Sequence, residues 1–369
     1  MRGLEYTEQQ QYWIWLSSVE GIGCKRFYQL LTAFEEPRAV WEDGGANLGF
    51  LGEKTLHNLK QARNERYFYQ LFANMERLGI RAITRLHEEY PESLTQIYDP
   101  PVVLYVKGDA DLNRERAIAV VGSRRCTWDG KKAAREFSKT MAENGVSIVS
   151  GLARGIDTCA HQGCLEGGGR TIAVLGCGAD QVYPPENRDL YQKILDSGGT
   201  ILSEYLPGTP PLAGNFPARN RIISGLSQGV LLVEAAQRSG AMITVRYAAD
   251  QGKEIFAVPG SVYAPQSASP NQLIQEGAGI ALSGWDILEA MRWAERSAKE
   301  GAPKVEVELD EEEKIVVEPL KDEELSYEEL VERTAISPAR LNSLLTTLEL
   351  RGIIKQNPGK MYRVYPGIF

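Results

Sequence analysis

Between Ala117 and about Ala298 short apolar runs alternate with helical segments, and nothing else in the chain restricts its fold so strongly. Ile118 to Val121, Val146 to Ser150, Thr171 to Leu175, Ile201 to Glu204, Val230 to Glu234, Ile255 to Val258 and Gly279 to Leu282 read as strands, most of them followed by glycine or proline. Strands alternating with helices predict an α/β fold built on a Rossmann-like parallel sheet. Ligands of open sheets sit beyond the carboxyl ends of the strands, so the segments after each strand are where a site is expected.

The first of these segments, "AVVGSRRCTWDG" (119–130), has the strand, glycine turn and helix of a nucleotide-binding fold. A dinucleotide fingerprint needs G-x-G-x-x-G, whose second glycine lets backbone approach a pyrophosphate. Here Gly122 and Ser123 are followed by Arg124 at that position. An arginine blocks the close approach yet offers a donor fork to a single phosphate, so no dinucleotide cofactor is expected.

In "SGLARGIDTCAHQG" (150–163), Gly151 and Gly155 allow a tight turn, Arg154 lies in the loop, and Asp157 is placed to cap the next helix. Asp157 and His161 can be read as an acid/base pair, or as a cap and a packed histidine. "GCGADQVYPPEN" (176–187) is a stiff loop in which Tyr183 and Asn187 would shape a pocket. "NFPARNRIISG" (215–225) sets Phe216, Arg219, Asn220 and Arg221 within six positions. A ring flanked by guanidinium groups suits a groove for single-stranded nucleic acid, the base stacking while arginines take phosphates; the plainer alternative is a core ring with solvated arginines. After Glu234, Ser239 and Gly240 form another amide-rich turn at a helix start. No Ser-His-Asp triad and no P-loop is present, so no catalytic residue is expected. The five cysteines form no C-x-x-C pair. Cys159 and Cys164 would lie about 140° apart on a helix, which reads as packing rather than metal binding.

The flanks differ in character. Residues 1–80 look helical, and "VEGIGCKRFYQLL" (19–31) has the form of a helix-hairpin-helix, with "LGFLGEKTLHNLK" (48–60) as a weaker second copy. Its glycine turn can present amides to a phosphate or merely allow close helix packing. The core spans 81–298. Residues 299–325 read as an acidic linker, and 326–369 as a winged helix, with Ser326 to Glu329 a capping box, Ser337-Pro338 opening a second helix, and a hairpin about Asn357-Pro358-Gly359. Net charge is −8, but residues 299–329 carry −9 and residues 330–369 carry +4, which leans the wing toward DNA. Glu5 and Glu8 interrupt the start, and no apolar run approaches membrane-spanning length, so a cytoplasmic place without membrane contact is expected.

Taken in order, "VGSR", "SGLARGIDTCAH", "GCGADQVYPPEN", "SEYLPG", "FPARNRIISGLS", "VEAAQRSGAMIT", "FAVPG" and "NQLIQEGA" resemble the DNA-processing protein A (DprA, or Smf) family across residues 80–290. The resemblance implies a protein without catalytic activity, cofactor or metal. It implies an extended Rossmann core, between a SAM-like helical domain and a winged helix, that binds single-stranded DNA in natural transformation. Such a protein protects incoming strands, displaces or coexists with single-strand-binding protein, and loads the RecA recombinase. By the same resemblance the DNA-contacting arginine falls on Arg124, and the stacking ring on Phe216, followed by Arg219, Asn220 and Arg221. A homodimer would form near Asn271 to Ala278, through Asn271, Leu273 and Ile274. The lysine that some members place near these motifs has no counterpart in 183–187 or 210–216. The competing expectation is a nucleotide phosphoribohydrolase of the lysine-decarboxylase-like group, but the P-G-G-x-G-T-x-x-E signature is absent and only Glu234 with Ser239-Gly240-Ala241 comes near it.

Overall fold

The computed structural model describes residues 6–109, 111–294, 309–321, 323–357 and 361–364. They belong to two compact units, Met1–Glu295 and Arg296–Phe369. Glu5, the opening of the acidic linker through residue 308, and the Pro358-Gly359 turn lie outside the described residues.

The first unit begins with five helices, α1 (Glu8–Ser18), α2 (Cys24–Phe34), α3 (Pro37–Asp43), α4 (Glu53–Ala62) and α5 (Glu65–Leu78). Two hairpins of this bundle meet at a glycine. Gly21, at φ +94°, lies against Thr55 of α4, where an added Cβ would come 2.8 Å from the threonine hydroxyl. The glycine turn therefore serves helix packing. The indole of Trp13 donates to the carbonyl of Val102 at 3.0 Å, fastening α1 to the core that follows.

That core runs β1 (Arg81–Thr84), α6 (Glu92–Thr95), β2 (Val103–Gly108), β3 (Ala117–Val121), α7 (Trp128–Glu143), β4 (Ser147–Ser150), α8 (Ile156–Glu166), β5 (Thr171–Leu175), α9 (Arg188–Asp196), β6 (Thr200–Ser203), α10 (Asn215–Gly225), β7 (Gly229–Leu232), α11 (Ala241–Asp250), β8 (Glu254–Ala257), α12 (Ala268–Gln275), β9 (Gly279–Ile280) and α13 (Gly284–Ala290). The strands form one sheet in the order β1-β2-β6-β5-β4-β3-β7-β8-β9. From β6 to β9 every pairing is parallel. The seven strands read from the sequence are all present, within about two residues at each end.

Two strands escaped that reading. β1 and β2 pair antiparallel with each other, and β2 pairs antiparallel with β6. Both precede the strand-helix alternation, and β2 passes to β3 without a helix, so the pattern that marks a parallel strand is missing.

Alternate residues of β3 supply the two faces. Ala119 and Val121 pack with α10, α11 and α12, and Ile118 and Val120 with α7, α8 and α13. On α12, the residues expected at a dimer surface are mostly engaged. Leu273 is buried in the core, Ile274 is half-buried, and the Asn271 amide both accepts from and donates to Gly260. Outward-facing apolar side chains beyond α12 include Ile280 and Leu282, at the edge strand β9.

In the second unit the acidic segment is not all linker. α14 (Glu311–Val317) opens on a capping box from Asp310 and buries Val316 and Val317, with Leu320 just beyond, against the wing core. Its carboxylates also neutralise the basic face: Glu312 pairs with Arg340 at 2.6 Å and Glu313 with Arg351 at 2.6 Å. The winged helix therefore begins before residue 325, and the +4 counted over 330–369 is offset by its own first helix. The remainder is β10 (Leu325–Ser326), α15 (Tyr327–Thr334), α16 (Pro338–Leu350), β11 (Ile354–Asn357) and β12 (Met361–Val364), with β12 between the other two strands. Ser326 and Glu329 form the expected capping box, whereas Ser337 makes no side-chain cap to α16.

Candidate nucleic-acid interface

An open cleft of about 710 Å³ lies over the carboxyl ends of the central strands. Its lining includes Arg124, Tyr183, Phe216, Asn220, Arg238 and Ser239, brought together from the loops after β3, β5 and β7 and from α10.

The β3 loop is held by close backbone contacts. Ser123 N donates to Glu234 O at 2.7 Å, and an added Cβ on Gly122 would come 2.6 Å from Ile156. Gly155, at φ +78°, brings the β4 loop so close that an added methyl would overlap the Ser123 carbonyl. The Ser123 hydroxyl accepts from Arg125 N at 3.1 Å, closing the turn and turning Arg124 outward. Arg124 is exposed, and its guanidinium carbon stands 5.8 Å from the centre of the Phe216 ring.

Phe216 is half-buried. Gly176 lies beneath it, where a Cβ would come within 2.8 Å of the ring, and Tyr183 lies beside it at 5.4 Å between centroids, tilted 41°. The ring is thus supported on one side and flanked by a cation, the arrangement a stacked base requires.

The other two arginines of α10 are placed differently from the expected clamp. Arg219 is 3 % exposed and donates to the carbonyls of Gly151, at 2.9 Å, and Val174, binding the ends of β4 and β5 together beneath the cleft. An added Cβ on Gly151 would meet that guanidinium. Burial pushes the Arg219 guanidinium down to about 10, against the pull of Asp157. Arg221 points to the far side of the helix, where it forms a two-bonded pair with Glu204 at 2.6 and 2.7 Å and donates to Asp99 O at 2.9 Å. Burial works against its charge, but Glu204 outweighs it and holds the group above the ordinary arginine value. Successive helical residues are 100° apart, so the consecutive Arg219, Asn220 and Arg221 cannot share one face. Phe216 and Asn220, four apart, do.

Free cations come instead from other loops. Among the described residues Arg124, Arg125 and Arg238 enter no ion pair, and all three line the cleft and are exposed. Arg238 carries no signal in the sequence beyond its place just after a strand. Arg154 sits at the rim, paired with Glu186. Ser239 and Gly240 open α11 at the cleft wall.

The acid/base reading of Asp157 and His161 does not survive. Gly155 is the N-cap residue of α8; Asp157 bonds back to the amides of Gly151 and Ala153, at 3.1 and 3.4 Å, and fixes its own loop. Burial holds its carboxyl above the usual range despite the nearby Arg219. His161 is wholly buried, bonds Thr171 at 2.7 Å, and is pushed down to about 3, first by burial and then by Arg219. Glu234, the acidic residue of the hydrolase alternative, takes the hydroxyl and amide of Thr127 at 2.5 and 2.8 Å and so anchors α7. Among the described residues no group of three or more His, Cys, Asp or Glu side chains could hold a metal, and no helix is long and apolar enough to cross a membrane.

Residues 81–292 match the family described as DNA recombination-mediator protein A, and residues 300–360 match the DprA winged helix domain. Protein Smf of Synechocystis is 32% identical over 97% of this chain and 99% of its own length. DNA processing protein DprA of Streptococcus pneumoniae is 48% identical over 55% of this chain and 71% of its own length. The solved structure of the pneumococcal protein superposes with a TM-score of 0.65 at 35% identity, covering 77% of this chain and 98% of that one. A Helicobacter pylori DNA processing protein A, described for its single-stranded DNA binding mode, superposes with a TM-score of 0.52 at 31% identity, over 58% of this chain and 95% of that one. With a parallel-dominated core matched over 81–292, a helical amino-terminal part and a winged helix matched over 300–360, this chain belongs to the DprA/Smf family of DNA-processing, recombination-mediator proteins.

Proposed function

We propose that the chain binds single-stranded DNA along the carboxyl edge of its sheet and, as a cytoplasmic homodimer, protects incoming strands and loads RecA onto them during natural transformation, alongside or in place of single-strand-binding protein. The observation that carries this reading is the supported Phe216 ring under the Arg124 guanidinium, with Arg125 and Arg238 free on the same cleft. Stacking a base on a ring while unpaired cations hold the backbone needs no sequence readout, which suits a protein that must accept any strand. The membership of the family and the DNA-binding mode named for the Helicobacter protein agree with it. The exposed Ile280 and Leu282 beside the unpaired edge of β9 offer the homodimer an apolar contact.

The test has two stages. Oligo-dT binding to the full chain, followed by anisotropy over a range of salt, is expected to lose affinity steeply with salt, by about 0.7 in log-log slope per phosphate neutralised. RecA filament formation on strands coated with single-strand-binding protein is then expected to speed up with the parent chain and not with Arg124→Ala. Parent affinity retained by both Arg124→Ala and Phe216→Ala would remove the cleft from the reading. Ile280→Asp with Leu282→Asp is expected to halve the mass measured by light scattering.

A further inference from the structure

Two aromatic side chains stand further along the same edge with little to cover them. Tyr263, in the loop after β8, is 93% exposed, and Trp128, the first residue of α7, is 71% exposed. Water-facing rings of this size mark contact sites more often than scattered small apolar groups do.

Both are held in fixed relation to the arginine cleft. Gln266 of the Tyr263 loop donates through its side chain to Arg125 O at 3.1 Å and accepts at its carbonyl from Ala235 N at 2.8 Å. That loop is thereby stapled to both the β3 and the β7 ends. Trp128 follows Thr127, which Glu234 anchors, and Lys132 Nζ lies 5.5 Å from the centre of the indole. Of the two cations here, Lys132 also stands 3.8 Å from Glu136, while Arg125 enters no ion pair among the described residues, so the patch joins the rings with one free positive charge. Ile280 and Leu282, by contrast, form an apolar surface.

The order β5-β4-β3-β7-β8 sets the reach. Four strand spacings separate the end of β5, beneath Phe216, from that of β8, a span of about 19 Å. A strand seated on Phe216 and passing Arg124 and Arg125 meets this patch next.

We propose that Trp128 and Tyr263 form a second stacking station for the same single strand, engaging nucleotides beyond those in the Arg124–Phe216 cleft. The inference rests on the cleft reading. It adds that affinity grows with strand length beyond what the cleft alone accounts for, and that the added part is aromatic.

The full chain is titrated with oligo-dT of about 6 and about 20 nucleotides, lengths that bracket one compact site. For the parent the longer strand is expected to bind more tightly. In Trp128→Ala/Tyr263→Ala the gain on lengthening is expected to shrink by about 5-fold or more, the minimum for one lost stacked base. Arg124→Ala is expected to weaken both lengths alike. A length gain that persists in the double variant overturns this inference and leaves the cleft standing. A fall in the mass of the double variant by light scattering overturns it in favour of a second copy of the chain on the patch. A parent that binds neither length removes both readings.

Discussion

The Arg124 guanidinium carbon lies 5.8 Å from the centre of the Phe216 ring, joining the turn after the first parallel strand to a helix some ninety residues later in sequence. Charge and stacking surface are thus adjacent but separable. Arg124→Ala is expected to lower the salt slope of oligo-dT binding by about 0.7, whereas Phe216→Ala is expected to cost about 1–3 kcal/mol with the slope unchanged. Arg124→Lys keeps the slope and loses the planar fork above the ring. Anisotropy titrations at several salt concentrations distinguish the three.

Arg221 is engaged within the fold, paired with Glu204 and bonded to Asp99 O. Its side chain and that of Glu204 are 8% and 13% exposed, so Arg221→Ala leaves a nearly buried carboxylate unpaired, a loss of about 3–5 kcal/mol. Replacing both, as Arg221→Met with Glu204→Leu, is expected to recover most of it. Urea unfolding followed by tryptophan emission reads this directly, because all six tryptophans lie between residues 13 and 293 and none in the winged helix.

Gly155→Ala is expected to injure folding and binding together. The residue holds φ +78°, and its new methyl would press on the Ser123 carbonyl in the turn that presents Arg124. Strain of this kind costs more than about 1 kcal/mol. Gly168→Ala has a similar φ of +68° but open space around it, and is expected to lose stability without loss of oligo-dT affinity.

His161 gives the core a pH dependence of known sign. Burial first, and the Arg219 charge second, hold it down to about 3, while an unfolded histidine takes its proton near 6.5. Between those values the unfolded chain binds the extra proton, so stability is complete above about pH 6.5 and falls as pH drops toward 3, by at most about 1.4 kcal/mol per pH unit. Asp157, held above its usual value by burial, acts in the opposite direction above the ordinary carboxylate range. Urea midpoints from pH 7 to pH 5 are expected to fall less steeply for His161→Asn than for the parent.

Much of the molecule was legible in the chain itself. The period of apolar runs fixed seven parallel strands, because each strand and its crossover helix must bury opposite faces of one sheet. Arg124 in place of a glycine removed the close backbone approach that a dinucleotide fingerprint needs, and its position at a strand end placed it in the cleft. The antiparallel β1 and β2 carried no such period. The charge of the wing was misjudged because Glu312 and Glu313 pair with Arg340 and Arg351 across 28 and 38 residues, which a running sum cannot register.

What only the tertiary structure decided is which arginines are free. Arg219 and Arg221 share a motif with Phe216, but helical geometry turns one beneath the strand ends and the other onto Glu204. Arg125 and Arg238, from separate loops, take the exposed places. A sequence states that a guanidinium is present; whether it meets a carbonyl, a carboxylate or water depends on what the fold brings within about 3 Å of it, and that partner determines whether its charge is spent on the fold or left for a phosphate.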